Sequence, residues 1–336
     1  MLFGDSPSDF GFLPPQFRGD AQVFFPTGTA NTQWQTWTKP RGVSMVYMIA
    51  ISGGGGGGGG FTRATTLAGG GGGSGACSGM TTLMMPAIFL PDSLKISVGA
   101  GGLGGAAGAA GGNGVNSYIT LGAGITAGIT IPNVILASHG TSAPGGGGGG
   151  TGAAAGAAGT VPTVATIAAV GPMGKLGFWP NTGTAANNGY VGLVGVIGGA
   201  QTGAAGTAIT AGWNIIPFTP GASGAGVNTV STGFAGGAIS LQAATDFADG
   251  GFPASILAGG VAGASGTGAA GNGNNGIRSM RPFLHTGGTG GGSSDANIGG
   301  QGGTGGIGCG GGGGGAGTTG GRGGDGGPGM VVIISW

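Results

Sequence analysis

Residues 43–60 read VSMVYMIAISGGGGGGGG, an apolar stretch that runs directly into a block of eight glycines. Val43 to Ile51 is apolar at odd and even positions alike, which is typical of a strand buried on both faces of a sheet. The order is mirrored at the end of the chain, where a glycine-rich tract leads into MVVIISW, Met330–Trp336. Because each strand is short and otherwise lacks a partner, we expect the two to lie in one sheet and to bracket the glycine-rich body.

The composition excludes the usual classes of glycine-rich chain. Gly accounts for 96 of the 336 residues, and charged residues make up only 5%. Collagen requires a strict three-residue repeat rich in Pro, whereas this chain has 17 Pro and no repeat along its whole length. Disordered chains combine low hydrophobicity with high net charge. With 39% hydrophobic residues and a net charge of +1, this chain is expected to fold, so the glycines are structural.

A local three-residue period indicates how the glycines are used. From residue 299 to 328 every triplet begins with Gly, as in GGQ, GGT and GGI, and a similar frame starts at residue 99. Three residues per turn is the geometry of the left-handed polyproline-II type of helix, which has no internal hydrogen bonds. Its backbone groups need partners, which predicts a bundle of laterally hydrogen-bonded rods. Third-position side chains would line a rod edge: Gln301, Thr304, Ile307, Arg322 and Asp325.

The predicted fold class is mainly β with a polyglycine-II helix bundle, a small β framework formed by the terminal strands, and almost no α-helix. Three parts are expected: an aromatic β segment (1–52), the glycine-rich body (53–329) and the C-terminal strand (330–336), which pairs with the N-terminal framework. Further strands are predicted at 22–25, 31–38, 94–98 and 117–121, and β-rich structure with tight turns at 160–260. The nearest approach to a helix is the stretch 241–247.

Several kinds of function are excluded by what the sequence lacks. Nine scattered cations form no basic stripe for nucleic acid, and the longest apolar stretch is about half the roughly 20 residues of a membrane span. The N-terminus has no cationic and apolar signal pattern, which predicts synthesis in the cytoplasm followed by retention there or release by lysis. Cys77 and Cys309 have no metal-ligand spacing, so they are either two buried free thiols, which we favour, or one disulfide.

No catalytic, cofactor-binding or metal-binding residues are predicted. The glycine block matches a dinucleotide-binding pattern only trivially, because the acidic residue and the helix that should follow it are missing. Positioned titratable groups, which acid–base catalysis requires, are scarce: there are two histidines and eight carboxylates. We therefore expect a protein that is not an enzyme.

The candidate contact residues for a receptor are aromatic residues of the middle third and one histidine. They are Phe178, Trp179, Tyr190, Trp213 and His285. Exposed aromatic residues supply much of the energy of binding interfaces, and His285 follows the cationic stretch Arg278–Arg281. The sequence leaves a second role open, in which the aromatic residues fill a small core or a subunit interface and His285 lies in a solvated loop.

Both ends of the chain resemble a known family. The segment W-T-x-P-x-G-V at Trp37–Val43, the strand VYMIAIS before poly-Gly, and the terminal GGRGGDGGPGMVVIISW are similar to the glycine-rich domains of tailed-bacteriophage fibre and adhesin proteins. The resemblance implies a virion surface protein, often trimeric or mounted on a fibre, that recognises the host. It covers about residues 22–60 and 299–336 and is compositional in between. No long attachment shaft precedes the match, which favours a compact tip or a decoration subunit.

The expected function is that of a phage virion structural protein, a tail-fibre tip or adhesin whose loops contact a host receptor. The expected partners are copies of the chain in a homotrimer, other virion proteins, and a host cell-surface glycan or protein, with no nucleic acid and no membrane span. A capsid-bound decoration or head-fibre protein is one alternative. An ice-binding glycine-rich protein is another, which the irregular third-position residues disfavour. A silk-like protein is disfavoured by the lack of a secretion signal and by the aromatic N-terminal segment.

Overall fold

A computed structural model describes residues 20–28, 33–65, 67–123, 134–139, 143–162, 189–190, 192–211, 218–229, 232–241, 256–264, 268–280 and 283–336. Over these ranges the fold is mainly β, with essentially no helix apart from one 3-10 turn at Ala87–Phe89. The strands are β1 (Asp20–Phe24), β2 (Gln35–Thr38), β3 (Met45–Ile51), β4 (Met80–Pro86), β5 (Ser93–Ser97), β6 (Tyr118–Thr120), β7 (Val134–Ala137), β8 (Gly189–Tyr190), β9 (Ile209–Ala211), β10 (Ile239–Leu241), β11 (Ile256–Leu257), β12 (Arg278–Met280), β13 (Phe283–His285) and β14 (Met330–Ser335).

The two ends of the chain meet in one sheet. Its strand order is β1-β14-β3-β4-β8, and β14 pairs antiparallel with β3 from Met330 opposite Ile51 to Ser335 opposite Val46. The predicted pairing of the strand that enters the glycine-rich body with the strand that leaves it is therefore confirmed. A second antiparallel sheet has the order β2-β5-β6-β7, and smaller sheets join β11-β10-β9 and β12-β13.

The main hydrophobic core lies where the five-stranded and four-stranded sheets pack together. Trp37, Leu94, Ile96 and Ile119 come from the four-stranded sheet. Facing residues come from β3, β4 and β14: Val46, Met48, Leu83, Met85, Val331 and Ile333. The prediction that β3 is buried on both faces is wrong for one of them, since Met45, Tyr47 and Ile49 are only half-buried. On that face Ile49 lies opposite Val332 of β14, which in turn lies opposite Val23 of β1, and all three are only partly buried.

A second apolar cluster lies where the β framework joins the glycine-rich body. It consists of Ile51, Cys77, Phe218, Ile307, Cys309 and Met330. Both cysteines are buried free thiols; burial raises the pKa of Cys309 well above its ordinary value, and the neighbouring Cys77 raises it further. The expectation that Ile307 lines a rod edge is wrong. The triplet frame is interrupted here by a turn at Gly308, whose φ is +68°, and Ile307 is fully buried in this cluster.

The glycine-rich segments bond sideways with a period of three. Along 53–60, successive N–H groups donate in rotation to three different segments: Gly53 to Val115, Gly54 to Gly327 and Gly55 to Ala76, at 2.9–3.0 Å. Gly56, Gly57 and Gly58 then repeat the cycle three residues further along. Carbonyl groups of the same segment accept from three other segments, 102–108, 147–150 and 311–314. Segment 53–60 is thus surrounded by neighbours on all sides. Its backbone groups are paired, and these hydrogen bonds offset the large loss of conformational entropy when glycine is ordered.

The rods, as we name these segments, come in out-and-back pairs. An outward rod follows a strand, as 53–60 follows β3, and a return rod leads into the next, as 69–76 precedes β4. The pairs are 53–60 with 69–76, 99–107 with 109–115, 144–151 with 154–160, 192–200 with 204–208, 218–227 with 233–238, 258–264 with 268–277, 286–294 with 298–306, and 309–316 with 320–329. Because the outward rods share one direction, the turns that close the pairs gather at the end of the bundle opposite the β framework.

Close approach of the rods explains why the glycines cannot be other residues. A Cβ at Gly57 would lie 2.0 Å from the Gly312 carbonyl oxygen. In the peripheral rod 109–115 the requirement is confined to one edge: a Cβ at Gly111 would lie 2.3 Å from the Gly56 oxygen, whereas one at the exposed Gly112 has its nearest neighbour at 3.2 Å. The enclosed rod 53–60 therefore needs glycine throughout, and the peripheral rod 109–115 needs it only where it faces a neighbour.

Some predicted elements differ or fall elsewhere. The apolar run 191–197 was expected in β-rich structure, but its described residues belong to rod 192–200, whose N–H groups bond to rod 154–160. The predicted strands near 22–25, 94–98 and 117–121 correspond to β1, β5 and β6, and the stretch 31–38 contains β2. Most of the stretch 241–247 lies outside the described residues; its first residue, Leu241, ends β10.

Candidate recognition surface

A regular face of side chains is formed by three parallel rods, 268–277, 298–306 and 320–329, and we call it the amide face. Gly273 donates to the Gln301 carbonyl at 2.7 Å, and Gly302 donates to the Arg322 carbonyl at 2.9 Å. Equivalent bonds recur three residues away along each rod, so the rods stay in register. The third positions of this face are polar and exposed at Asn272, Asn275, Gln301, Thr304 and Arg322. The predicted edge of third-position side chains is confirmed for Gln301, Thr304 and Arg322.

A groove of about 460 Å³ opens where the amide face reaches the turn end of the bundle. Alanines of two turns form part of its lining, Ala106, Ala107, Ala269 and Ala270. Polar side chains stand among them: Asn272, Gln301, Thr319 and Arg322. Ile298, which is 53% exposed, adds one large apolar contact. The groove therefore offers small residues for close approach and planar polar groups for directional bonds.

Two of these polar groups are held in place by bonds to the bundle. The Asn272 Oδ1 accepts the backbone N–H of Gln301 at 2.9 Å, so its amide nitrogen remains available as a donor. The Arg322 Nη2 lies 2.5 Å from the Asp325 Oδ1, and that oxygen also accepts the Gly104 N–H at 2.7 Å. The predicted ion pair of Arg322 and Asp325 is thus present, and both of its members are more than a third exposed. The Asp325 carboxylate offsets most of the positive charge that Arg322 brings to the groove, and it orients the guanidinium.

At the turn end, Arg63 ties two neighbouring turns together. Its side chain is 5% exposed, and its Nη1 donates to the Thr65 and Leu67 carbonyls of its own turn. The Nη2 donates to the Asp295 carbonyl at 2.5 Å, across to the turn between rods 286–294 and 298–306. Burial lowers the pKa of Arg63, and the nearby Asp295 carboxylate opposes this shift. The turn surface beside the groove is therefore fixed by one buried cation.

Replacing Arg63 with Ala should loosen these turns. We expect a loss of roughly 1–2 kcal/mol in the free energy of unfolding, because several carbonyls lose a charged donor. Amide hydrogen exchange should accelerate mainly at 62–68 and 295–297, with the β framework unchanged. Arg41→Ala, at an exposed arginine, is the matched control. Equal stability and exchange in the two variants would contradict the assigned role of Arg63.

The predicted contact residues are distributed differently. His285 is fully buried in β13 and its ring stacks on Phe218, with centroids 6.2 Å apart. The expectation that His285 lies in a solvated loop is wrong. The ring is covered by Phe218, which is 67 positions away in the chain and could not be identified from the local cationic stretch. Tyr190 is in β8, opposite Met80 of β4. Phe178, Trp179 and Trp213 lie outside the described residues. The amide groove was not predicted, since its residues come together through the lateral register of separate rods.

A second groove lies at the opposite pole, beside the turn that precedes β3. Its volume is about 530 Å³, and its lining includes Lys39, Arg41, Ile88 and Asp92. The Lys39 Nζ lies 3.4 Å from the Asp92 carboxylate and donates to the Leu90 carbonyl at 2.7 Å. This end is formed by strand connections of the β framework. In the described ranges no cluster of three or more potential metal ligands occurs.

Comparison with known proteins gives a family-level likeness. A family model described as a glycine-rich domain matches residues 29–174. This range begins before β2 and includes β3 to β7 together with the first three pairs of rods. The search of characterised proteins found no match. No helix in the described part of the chain has the length and apolar character needed to cross a membrane.

Proposed function

We propose that this chain is a structural protein of a bacteriophage virion, a tail-fibre tip or adhesin displayed on the virion surface. The observation that supports the proposal most directly is the gathering of the turns at one end of the bundle, opposite the β framework. Such a protein can be attached at one pole and present turns at the other. The resemblance of both chain ends to phage fibre and adhesin domains supports the same class.

The proposal includes the conformation of the rods, which we infer to be polyglycine-II helices. The three-way rotation of hydrogen bonds along 53–60 is what a helix with three residues per turn would produce. Rods of this kind are fixed by their neighbours and not by internal bonds. Turns mounted on them lose little conformational entropy on binding, which favours affinity.

The proposed mechanism is binding without catalysis. The turn end meets a glycan or protein of the host surface, and the protein self-associates, as a homotrimer on a fibre with other virion proteins. A nearly uncharged surface supports self-association. Rod 192–200 exposes the apolar residues Leu193, Val194 and Ile197, and few charged groups surround them that would oppose their burial against a second copy.

Cell binding tests this proposal. Fluorescently labelled protein is applied to a panel of bacterial strains and scored by flow cytometry, with heat-unfolded protein as the control. We expect saturable binding to a subset of strains, together with a trimer mass by light scattering and a polyproline-II type of circular dichroism signal. Binding to no strain would count against an adhesin, a monomer against the fibre-borne trimer, and absence of the signal against polyglycine-II rods.

A further inference from the structure

We propose that the groove on the amide face is a carbohydrate-binding site, and that it takes a hydroxyl-rich polysaccharide chain. The inference rests on the proposed function and deepens it, since it names both the class of host ligand and the place where the ligand binds. Four independent features of the groove favour a polysaccharide over a protein segment.

The first feature is the arrangement of hydrogen-bonding groups. Asn272, Gln301 and Arg322 present planar amide and guanidinium groups, and Thr319 adds a hydroxyl. Such groups donate and accept at fixed angles, which suits adjacent hydroxyl groups of a sugar ring. Within the described residues the Gln301 side chain has no protein partner, while Asn272 uses only its oxygen. Donors are therefore available where a sugar oxygen would lie.

The second feature is that two of these groups, those of Asn272 and Arg322, are oriented before the ligand arrives. The Asn272 amide is oriented by the Gln301 N–H at 2.9 Å, and Arg322 is oriented by Asp325 at 2.5 Å. Asp325 is itself fixed by the Gly104 N–H of a neighbouring rod. Because these side chains are already ordered, little entropy is lost when they bind. Weak individual contacts to sugar hydroxyls can then add up to specific binding.

The third feature is electrostatic. The cation of the groove is paired with Asp325, so the site does not favour a highly charged polymer such as nucleic acid.

The fourth feature is shape. Polar residues of parallel rods and alanines near the rod ends line a groove of about 460 Å³, within the usual range for ligand sites. With small Ala side chains among its lining residues, the groove admits the faces of sugar rings. A peptide would be expected to need deeper apolar pockets for its side chains, and Ile298 is the large apolar residue here.

The test uses the full chain and two double variants, one within the groove and one outside it. N272A/Q301A removes two side chains of the groove. N275A/T304A removes their counterparts one turn away on the same two rods, where Asn275 accepts the Thr304 N–H at 3.0 Å as Asn272 accepts that of Gln301. Each double variant thus loses one equivalent structural hydrogen bond. The probe is an array of purified bacterial capsular and O-antigen polysaccharides, followed by calorimetry with the polysaccharide that binds best.

We expect wild-type protein and N275A/T304A to bind the same polysaccharide, and N272A/Q301A to bind it at least tenfold more weakly at a melting temperature equal to that of N275A/T304A. Equal loss in both variants, equal retention in both, or binding of wild-type protein to no polysaccharide overturns the inference. Binding to intact cells that survives periodate but is lost after protease treatment also overturns it, while leaving the adhesin function in place. Failure to bind any cell would instead count against the adhesin function itself.

Discussion

Gly57→Ala should abolish the native packing of the bundle. The new Cβ would lie 2.0 Å from the Gly312 carbonyl oxygen, 2.5 Å from its carbon and 3.1 Å from the Gly311 oxygen. All of these atoms belong to backbone in an inner rod, so no flexible side chain can move aside. Separating the rods would stretch the neighbouring bonds from Gly57 to Gly324 and from Gly105 to Gly57, now 2.8 Å each. We expect a loss of at least roughly 3 kcal/mol, measured as the free energy of unfolding in urea.

A matched pair in one peripheral rod separates this clash from a general effect of alanine. Gly111→Ala directs its Cβ at the Gly56 oxygen, 2.3 Å away, and should resemble Gly57→Ala. Gly112→Ala, the next residue, is exposed and has its nearest contact at 3.2 Å. It should change stability by no more than about 1 kcal/mol, partly because alanine restricts the unfolded chain. Equal destabilisation by the two variants would show that close approach is not the reason for glycine in these rods.

The framework and the existence of the rods could be predicted because their signals are local. The apolar composition of 45–51 and of 330–335 predicts a strand in each. Because each strand lacked another partner, the sequence also predicted that the two would pair. The triplets GGQ, GGT and GGI carry the three-residue period in the sequence itself. The sequence of a peripheral rod also indicates which of its edges faces the bundle. In rod 109–115 the inward positions are Gly111 and Gly114, whereas the exposed position 113 is Asn.

The position of individual side chains could not be predicted by the same means. The triplet frame assigns Ile307 to the same edge as Gln301 and Thr304, yet the turn at Gly308 redirects the chain into the framework junction. The groove depends on rods 268–277, 298–306 and 320–329 lying side by side, and the order of rods in a bundle has no signature in any one of them. Lateral register, and not periodicity, brings Asn272, Gln301 and Arg322 together.

Acid should destabilise the protein through His285. Burial, together with the charge of Arg278, which lies opposite His285 in the β12–β13 pair, lowers the pKa of this histidine to about 4. The ordinary pKa of histidine is about 6.5, so the unfolded chain binds a proton that the folded chain refuses between these values. The contribution is fully present above pH 6.5 and is lost as the pH falls towards 4. By linkage the loss is roughly 2–3 kcal/mol at pH 4.5, measured from urea unfolding at pH 7 and pH 4.5.

His285→Phe isolates this effect from the titration of carboxylates over the same pH range. Phenylalanine keeps an aromatic ring beside Phe218, where the two rings are now parallel to within 6°, and it cannot accept a proton. The variant should therefore lose about 2–3 kcal/mol less than the wild-type protein between pH 7 and pH 4.5. If both proteins lose the same amount, His285 is protonated in the folded state at pH 4.5, and its burial does not exclude the charge. A reduced loss in the variant would instead establish that the folded protein keeps His285 neutral at pH 4.5.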